Sequence, residues 1–466
     1  MLSVQRHGLL LTALGHSNQD DFQSAPILPG VARAMKHTRR QGPMADNTAL
    51  SLLKQRSIGS SRVVFHPEEG GMRPDPGGST PRSLYMHIPF CTHKCHYCDF
   101  YSIVDTRDRQ EAFAQRLVRE LIAQSPFAPQ PLESIFVGGG TPSLMRPDLW
   151  SLVLRALHDY FDMSLIDSGQ GEFSVECNPE TVTPELARVL RDGGVNRASL
   201  GAQSFNTVHL KSLERWHDPQ KVPIAIDILR RAGIARCSID LIYAIPGQTM
   251  QDWDQDLETA LALPIEHLSA YALTYEPGTA MTARLVRGEF TQAPDDLEAD
   301  MYLQTIKTLR DRGFERYEVS NHAKPGAQCA HNMAYWRQHD WLAVGPSASG
   351  HYQGHRWKNT PRLDDYLQND DEGFAPACEH EPPDDRRELM DRLMTGIRLS
   401  EGIDAVAAIE QATTLGAADT LSRAAIMCID QGWLSSSSEE RWVLSDDGFL
   451  FADRVAREFI GALMTD

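Results

Sequence analysis

The chain has 466 residues, of which 41% are apolar and 23% are charged. This ordinary globular balance excludes a largely disordered or fibrous protein, and the length suggests two or three domains. The formal net charge of -18 argues against non-specific binding to nucleic acid or anionic lipid. No run reaches about 18 uncharged apolar residues, so we expect no membrane-spanning helix.

The first 82 residues differ in composition from the rest of the chain. They carry ten Lys and Arg against six Asp and Glu, a balance of +4, which leaves -22 for residues 83–466. From His66 to Pro81, eight of sixteen residues are Gly or Pro, as in a flexible tether. We predict that residues 1–82 form a disordered extension. The alternative is a later translation start, at Met44 or Met72.

From Ser83 onwards, short β-rich runs alternate with amphipathic helical patterns. Six β-α units in series predict an α/β fold with a parallel sheet, a partial (β/α)6 barrel that covers residues 83–320. In such a sheet, functional residues gather at the carboxyl ends of the strands. The predicted strands are residues 83–90, 132–139, 172–179, 197–205, 237–247 and 267–275.

The remainder of the chain is predicted to form a connecting segment and a smaller domain. Residues 321–385 are assigned to that segment, and its acidic, Pro-rich end at 376–385 is predicted to be a linker. Residues 386–466 predict an α-rich, winged-helix-like domain. Residues 384–466 carry eight basic and sixteen acidic side chains, a net of -8, which makes contacts with DNA phosphates unfavourable. We therefore expect a structural or docking cap.

Three cysteines with the spacing C-x3-C-x2-C follow the first predicted strand: Cys91, Cys95 and Cys98. Three thiolates can hold a 4Fe–4S cube by three corners and leave the fourth iron open to a ligand. A disulfide is disfavoured, since three neighbouring cysteines cannot all pair. The remaining alternative is a zinc site in which a nearby histidine completes the ligand set: His87, His93 or His96.

This spacing, with Tyr97 just before the third cysteine, resembles the radical S-adenosylmethionine (SAM) superfamily. The resemblance implies that SAM chelates the open iron and that an electron from the cluster cleaves it to a 5′-deoxyadenosyl radical. Between Tyr85 and Thr249, further motifs resemble the anaerobic coproporphyrinogen oxidase branch in the same order: "YMHIPFC", "VGGGTPS", "SVECNPE", "LGAQSF" and "DLIYAIPGQT".

The resemblance also implies a set of residues that contact SAM. A glycine turn would meet its amino group, because only glycine lets the backbone approach a ligand so closely. An arginine would hold a carboxylate with its planar fork. Carried over residue by residue, the contacts are Tyr85, Gly138, Gly139, Gly140 with Thr141, Glu176, Gln203, Arg215 and Asp240.

Two features distinguish the members of this branch. The oxidase has a fourth cysteine two residues after the third, where this chain has Phe100. The run "HNMAYWR" at 331–337 resembles the H-N-x-x-Y-W signature of the HemW-type haem chaperones, which bind haem and hand it to acceptor proteins. The resemblance therefore implies a haem chaperone. The alternatives are an oxygen-independent coproporphyrinogen III oxidase and a radical enzyme on another substrate, so enzymatic activity stays open.

His331 is the predicted axial ligand of haem iron, with Asn332 to orient its imidazole and Tyr335 and Trp336 to pack on the macrocycle. The alternative is that these four residues only cap and pack a turn. Rival ligands lie in the same region: Cys329, His322, His339, His351 and His355.

The eight cysteines show no obvious pairing, which predicts a reducing compartment. A labile iron–sulfur cluster points the same way, so we expect a cytoplasmic protein, with an organellar or membrane-peripheral location as the alternative. The resemblance also implies an electron donor of the flavodoxin or ferredoxin type. No motif in the sequence indicates which protein accepts the haem.

Overall fold

The computed structural model describes residues 80–369, 372–435 and 440–464. The predicted disordered extension falls almost wholly outside these ranges, as only its residues 80–82 are described. Within them, the strands are β1 (Ser83–Ile88), β2 (Phe90–Cys91), β3 (Ile103–Val104), β4 (Ser134–Gly139), β5 (Glu172–Cys177), β6 (Arg197–Gln203), β7 (Arg236–Tyr243), β8 (His267–Ala272), β9 (Glu315–Arg316), β10 (Asn321–Ala323), β11 (Trp341–Val344), β12 (Ser349–Tyr352), β13 (His355–Asn359), β14 (Ala377–Glu381), β15 (Ile403–Asp404) and β16 (Arg441–Trp442).

The helices follow the strands in alternation through the first two thirds of the described chain. They are α1 (Gln110–Gln124), α2 (Pro147–Tyr160), α3 (Ser164–Asp167), α4 (Pro184–Asp192), α5 (Thr207–Ser212), α6 (Lys221–Arg231), α7 (Met250–Leu261), α8 (Ala280–Val286), α9 (Asp295–Asp311), α10 (Ala330–Trp336), α11 (Leu363–Gln368), α12 (Asp385–Gly396), α13 (Ala405–Thr414), α14 (Ala418–Asp430) and α15 (Ala452–Met464). Across the described ranges, each of them is too short or too polar to cross a bilayer.

The main sheet confirms the predicted barrel. Its order is β14-β13-β12-β11-β1-β4-β5-β6-β7-β8-β10-β9, and the six strands from β1 to β8 in that order are parallel neighbours. They occur in chain order with helices between them, as six right-handed β-α units require. This is the partial (β/α)6 architecture that the alternating pattern predicts.

The two faces of β1 have different surroundings because successive side chains of a strand point to opposite sides. Leu84 and Met86 belong to the large apolar core that also contains Leu117 and Leu121 of helix α1. Tyr85, between them in the chain, belongs to a separate small cluster with Phe136 of β4. The first face packs against the outer helices, and the second lines the interior of the barrel.

The segment 321–385 differs from its prediction. Its strands β10 to β14 extend the main sheet at both edges, with β11 parallel to β1 and β12 to β14 antiparallel beyond it. The linker predicted at 376–385 is in part strand β14, which pairs with β13. The misreading has a physical reason: β14 is an edge strand with three exposed residues in its middle, and such strands carry charge where buried strands do not.

The C-terminal region is α-rich, as predicted, with four helices around a two-stranded sheet. The first turn of α13 is capped by Asp404, which accepts from the backbone amide of Ala407. Strand β16 pairs with β15, which precedes α13, and Leu444, two residues after β16, forms an antiparallel bridge with Leu434, so the hairpin of the predicted winged-helix pattern is present as well. The region docks on the barrel through a bridge between Glu318 and Leu399.

Candidate functional site

The three predicted cluster ligands lie just beyond the carboxyl end of β1. Cys91 is the last residue of strand β2. Cys95 and Cys98 lie in one turn, in which the Cys98 amide donates to the Cys95 carbonyl at 3.2 Å. All eight cysteines of the chain are free thiols in the structure. The loop is therefore available for metal chemistry at the end of the barrel where the fold predicts it.

The loop holds its thiols in a partly buried setting. Burial raises the pKa of Cys98 to about 12, and the neighbouring Cys95 and Cys91 add to the rise. Binding to iron deprotonates a thiol outright, so loading a cluster releases protons here.

Arg215 lies against the cysteine loop. Its Nη1 donates to Cys95 Sγ at 3.6 Å, and its Nη2 donates to the Gly201 carbonyl at 3.0 Å. A Cβ on Gly201 would come within 2.8 Å of Gln203 Nε2 and 3.0 Å of Arg215 Nη2, so these two predicted SAM contacts lie side by side. The guanidinium of Arg215 therefore contacts one of the predicted cluster ligands directly.

The predicted glycine turn follows β4 and is crowded by protein atoms. Gly139 has a φ of +106°, and a Cβ there would lie 2.5 Å from the imidazole of His87. A Cβ on Gly140 would lie 2.7 Å from the Phe90 carbonyl oxygen. Thr141, the next residue, places its hydroxyl 3.5 Å from Cys91 Sγ. Close packing of the cysteine segment on this turn already requires glycine, and its predicted contact with SAM stays a prediction.

Two predicted SAM contacts form a pair of buried carboxyl groups. Glu176 Oε2 accepts from the Gly139 amide at 3.3 Å, and Asp240 accepts from Ser199 Oγ at 3.1 Å. Burial, together with the nearby Asp240, raises the pKa of Glu176 to about 7. Burial raises the pKa of Asp240 as well. Two desolvated acids without a paired arginine suit a cationic ligand such as an amino group.

His87, which the sequence analysis named only as a candidate zinc ligand, lies on the same face of β1 as Tyr85, two residues further along the strand. Its Nε2 lies 2.9 Å from the Tyr101 carbonyl, which can only accept, so Nε2 carries the proton. Its Nδ1 then accepts from the Tyr85 hydroxyl at 3.1 Å. Burial lowers the pKa of His87 to about 4 and keeps it neutral. His87 thus links the predicted SAM contact Tyr85 to the chain just after the cysteines.

The H-N-x-x-Y-W residues form helix α10. His331 is fully buried, and its Nδ1 lies 3.0 Å from Ser134 Oγ, which donates to Ser83 Oγ. Ser134 therefore accepts from His331 Nδ1–H, while Nε2 has no hydrogen-bond partner among the described residues. Burial lowers the pKa of His331 to about 3, so the ring is neutral. Ser134 occupies the orienting role that the sequence analysis gave to Asn332.

The structure does not bring these haem candidates to the cysteines. Ser83 and Ser134, the partners at His331, are the first residues of β1 and β4, whereas Cys91 lies beyond the last residue of β1. Six residues of strand span ~17 Å, so most of the barrel length separates them. The ring centroids of Phe136 and Tyr335 lie 5.5 and 4.7 Å from that of His331. The histidine is enclosed by aromatic rings on the barrel side of α10.

A charged network fixes α10 to this end of the barrel. Glu172, the first residue of β5, accepts from Arg236 Nη2, from the Ala330 amide and from Cys329 Sγ, each at 3.2 Å. The guanidiniums of Arg197 and Arg236, with these hydrogen bonds, lower the pKa of Glu172 despite its burial. The carboxylate thus holds the start of α10 in place, which no sequence motif signalled.

Comparison with known proteins supports the predicted radical SAM family. Residues 85–260 match the model of the radical SAM superfamily. The haem chaperone HemW of Lactococcus lactis is 35% identical over 326 residues, which cover 69% of this chain and 83% of that protein. The haem chaperone HemW of Bacillus subtilis is 30% identical over 82% of this chain and 100% of its own length. This chain belongs to the HemW family.

The fold comparison supports the same architecture. Coproporphyrinogen III oxidase from Escherichia coli, a radical SAM enzyme, superposes with a TM-score of 0.72 and 21% identity, covering 88% of this chain and 98% of its own. This superposition confirms the predicted fold, and the relatives above confirm the predicted family. Which residues bind SAM and haem stays a prediction.

Proposed function

We propose that this protein is a haem chaperone that binds haem and passes it to an acceptor protein. The observation that carries the proposal is the similarity to haem chaperones along nearly the whole barrel and C-terminal region, including the full length of the Bacillus relative. The free cysteine loop and the buried H-N-x-x-Y-W helix support it.

The residues at the carboxyl end of the barrel fit a 4Fe–4S cluster and SAM. Cys91, Cys95 and Cys98 would hold three irons, and the cluster supplies a single electron to SAM when both are bound. Glu176 would accept a hydrogen bond from the amino group of SAM, and Asp240 would accept one from its ribose or methionyl part, since an ionised carboxylate is a strong acceptor. Arg215 already touches Cys95 and would hold the loop's negative charge.

Proton movement follows from the pKa of Glu176. At about 7 it lies near neutral pH, so the free site holds a proton on this carboxyl for part of the time. Binding of a cation beside it lowers that pKa and releases the proton. We therefore expect SAM to bind more tightly as the pH rises from 6 to 8.

The test uses the full chain, reconstituted with iron and sulfide without oxygen. Haem is titrated while the Soret band is followed, and the same sample is then assayed with coproporphyrinogen III. We expect saturable uptake of haem and no decarboxylation. Decarboxylation would make the protein an oxidase in spite of Phe100, and absence of haem uptake would rule out the chaperone.

We place this function in a reducing compartment such as the cytoplasm, because eight free thiols and an exposed cluster loop are unsuited to an oxidising one. An electron donor of the flavodoxin or ferredoxin type would serve the cluster. A pull-down with the reduced holoprotein under nitrogen, repeated with Cys95→Ser, would separate cluster-dependent partners from haem acceptors.

A further inference from the structure

Large apolar side chains are exposed on the segments that surround the cysteine loop. Among the residues that the structure describes, the three most exposed side chains of this kind are Val286, Trp216 and Val208, at 82%, 71% and 66%. Val104, which pairs with Cys91 between β3 and β2, is 52% exposed. Apolar side chains that are exposed together and bordered by polar residues mark sites of interaction with a partner.

His96 of the loop joins the segments that carry these side chains. Its amide donates to the carbonyl of Leu213, the residue after α5, at 3.4 Å, and its carbonyl accepts from the Met281 amide of α8 at 2.9 Å. Arg284 of α8 donates to the Ser212 carbonyl at 3.2 Å and lies 3.3 Å from His96 Nδ1. Helices α5 and α8 are therefore both held against the cysteine loop, and their exposed valines belong to its surroundings.

Trp216 lies directly on the loop. Its indole is stacked on the imidazole of His93, with the ring centroids 3.9 Å apart and the ring planes at 14°. Its Nε1 donates to Glu214 Oε2 at 3.1 Å, so the polar edge of the indole is satisfied. His93 lies between Cys91 and Cys95 in the chain, so a partner that covers Trp216 comes next to the predicted cluster ligands. Tryptophan is one of the residues that contribute most to binding between proteins.

The same surface is basic on a chain that is otherwise acidic. Residues 91–99, 207–216 and 280–289 carry five basic and three acidic side chains, a net of +2, whereas residues 83–466 as a whole carry -22. Lys94, inside the loop, and Lys211, on α5, are both exposed. Exposed apolar groups bordered by lysines fit a partner that is itself acidic around an apolar centre.

We propose that this surface, formed by Lys94, Val208, Lys211, Trp216 and Val286, is the docking surface for an acidic electron carrier of the flavodoxin type. The proposal rests on the proposed function only in that it takes the loop to hold the cluster. The exposed edge of a flavin is aromatic and suits contact with an indole. One electron passes from the fully reduced flavin to the cluster, the flavin is left oxidised by one electron, and no covalent bond forms or breaks. Electron-transfer complexes bury less than about 1,200 Å², so a surface of this size is sufficient.

The first experiment measures binding of oxidised bacterial flavodoxin to the full chain, reconstituted with iron and sulfide without oxygen, by isothermal titration calorimetry. Trp216→Ala is expected to raise the Kd at least tenfold, because it removes the aromatic centre of the surface. The double variant Lys94→Glu with Lys211→Glu is also expected to raise it at least tenfold. The wild-type Kd should rise with ionic strength between about 20 and 200 mM, and that dependence should be weaker in the double variant.

Matched controls change the same kinds of side chain away from the loop. Tyr160→Ala removes an exposed aromatic ring at the end of α2, near the start of β5, and Lys307→Glu reverses an exposed charge on α9. Both are expected to keep the wild-type Kd. Val286→Glu places a carboxylate in the docking surface at a side chain that is 82% exposed, so it tests the surface even if Trp216→Ala loads iron poorly.

The second experiment separates docking from the properties of the cluster. Fully reduced flavodoxin is mixed with each loaded variant, and the loss of absorbance near 420 nm is followed by stopped flow. We expect reduction to be at least tenfold slower in Trp216→Ala and in Val286→Glu. Dithionite, a small reductant that needs no docking surface, should reduce these variants at the wild-type rate. Circular dichroism and iron content verify that each variant folds and loads.

The outcomes distinguish the docking surface from the proposed function. If the wild type binds no flavodoxin, or if the surface variants bind it as the wild type does, the docking proposal is wrong while the haem chaperone stands. If the surface variants keep flavodoxin and instead fail to deliver haem, the surface belongs to the haem acceptor and the docking proposal is again wrong. If the wild type takes up no haem but the surface variants lose flavodoxin, the chaperone is wrong and the docking surface stands.

Discussion

Glu172 and Glu176 lie four residues apart on the same face of β5, yet their pKa values move in opposite directions. Glu172 is surrounded by Arg197, Arg236 and hydrogen-bond donors, which lower its pKa. Glu176 has a single backbone donor and faces Asp240, and its pKa rises to about 7. The two ends of the barrel therefore differ. At the amino-terminal end the carboxylate of Glu172 is paired with arginine, whereas at the carboxyl end Glu176 has no arginine partner among the described residues and can receive a ligand.

The comparison also explains why the barrel tolerates polar residues inside. At the amino-terminal end the buried carboxylate of Glu172 has fixed protein partners, Arg236 and the donors at the start of α10, so its burial helps to specify the fold. At the carboxyl end, Glu176 accepts from the Gly139 amide and Asp240 from Ser199, with no ion pair among the described residues, and this destabilises the empty protein. Unpaired buried groups of this kind mark functional sites more often than structural ones.

The largest expected effect is at the carboxyl end. Cys95→Ser removes one of three cluster ligands, so the reconstituted protein should lose most of its iron and its absorbance near 420 nm. The amino-terminal end should be unaffected, because the network at Glu172 does not touch the loop. Cys428→Ser, a buried thiol in α14, is the control and should load iron normally.

The next effect is expected at the amino-terminal end. Glu172→Gln removes the carboxylate that pairs with Arg236 and lies near the buried guanidinium of Arg197, which should lower the free energy of unfolding by about 3–5 kcal/mol. Urea unfolding at pH 7.5 measures it. Glu133→Gln is the control, because its ion pair with Arg82 is exposed and should be worth at most ~1 kcal/mol. Equal losses in the two variants would mean that the network is not what stabilises this end.

Glu176 should make the free energy of unfolding depend on pH, in the sense opposite to Glu172. In the metal-free protein its folded pKa of about 7 exceeds the ordinary 4.5, so the folded state holds a proton that the unfolded state has lost between these values. Stability should therefore decline as the pH rises from 5 to 8, by up to ~3 kcal/mol. Glu176→Gln should abolish that part of the decline and weaken SAM binding at least tenfold.

Urea unfolding at pH 5.5 and 8.5 checks this prediction. The exposed Glu410→Gln serves as the control and should keep the wild-type slope. For Glu172 the sign is reversed: its lowered pKa adds stability above pH 4.5, which is lost as the pH falls. A Glu176→Gln variant with the wild-type pH dependence would show that burial does not raise the pKa of this carboxyl group.

The smallest effect tests the helix that closes the amino-terminal end. Ser134→Ala removes the acceptor of His331 Nδ1–H and leaves a buried donor without a partner, which should lower the free energy of unfolding by ~1–3 kcal/mol. Ser151→Ala, on the outer helix α2, is the control. Iron loading and SAM binding should stay at wild-type levels, and a loss of either would mean that the two ends are coupled.

Much of the fold could be predicted because its signals are local. The strands of the barrel are marked by runs of apolar residues, and α4 (Pro184–Asp192) is flanked by a capping threonine, Thr183, and by Gly193. The three cysteines lie within eight consecutive residues, so their spacing is visible in the sequence alone. The edge strand β14 was missed, because its pairing with β13 rather than its own composition makes it a strand.

The sequence by itself determined the parallel barrel, the cysteine loop, the family and the acidic C-terminal region, since each depends on residue type and spacing along the chain. The tertiary structure decided which neighbours those residues meet. His331 and Ser134 are 197 residues apart in the chain yet form one hydrogen bond, and Glu172 meets Cys329 across 157 residues. A side chain's pKa, orientation and solvent exposure depend on such distant partners. Only the folded chain therefore shows that Glu172 of β5 is paired with arginine and that Glu176 is not.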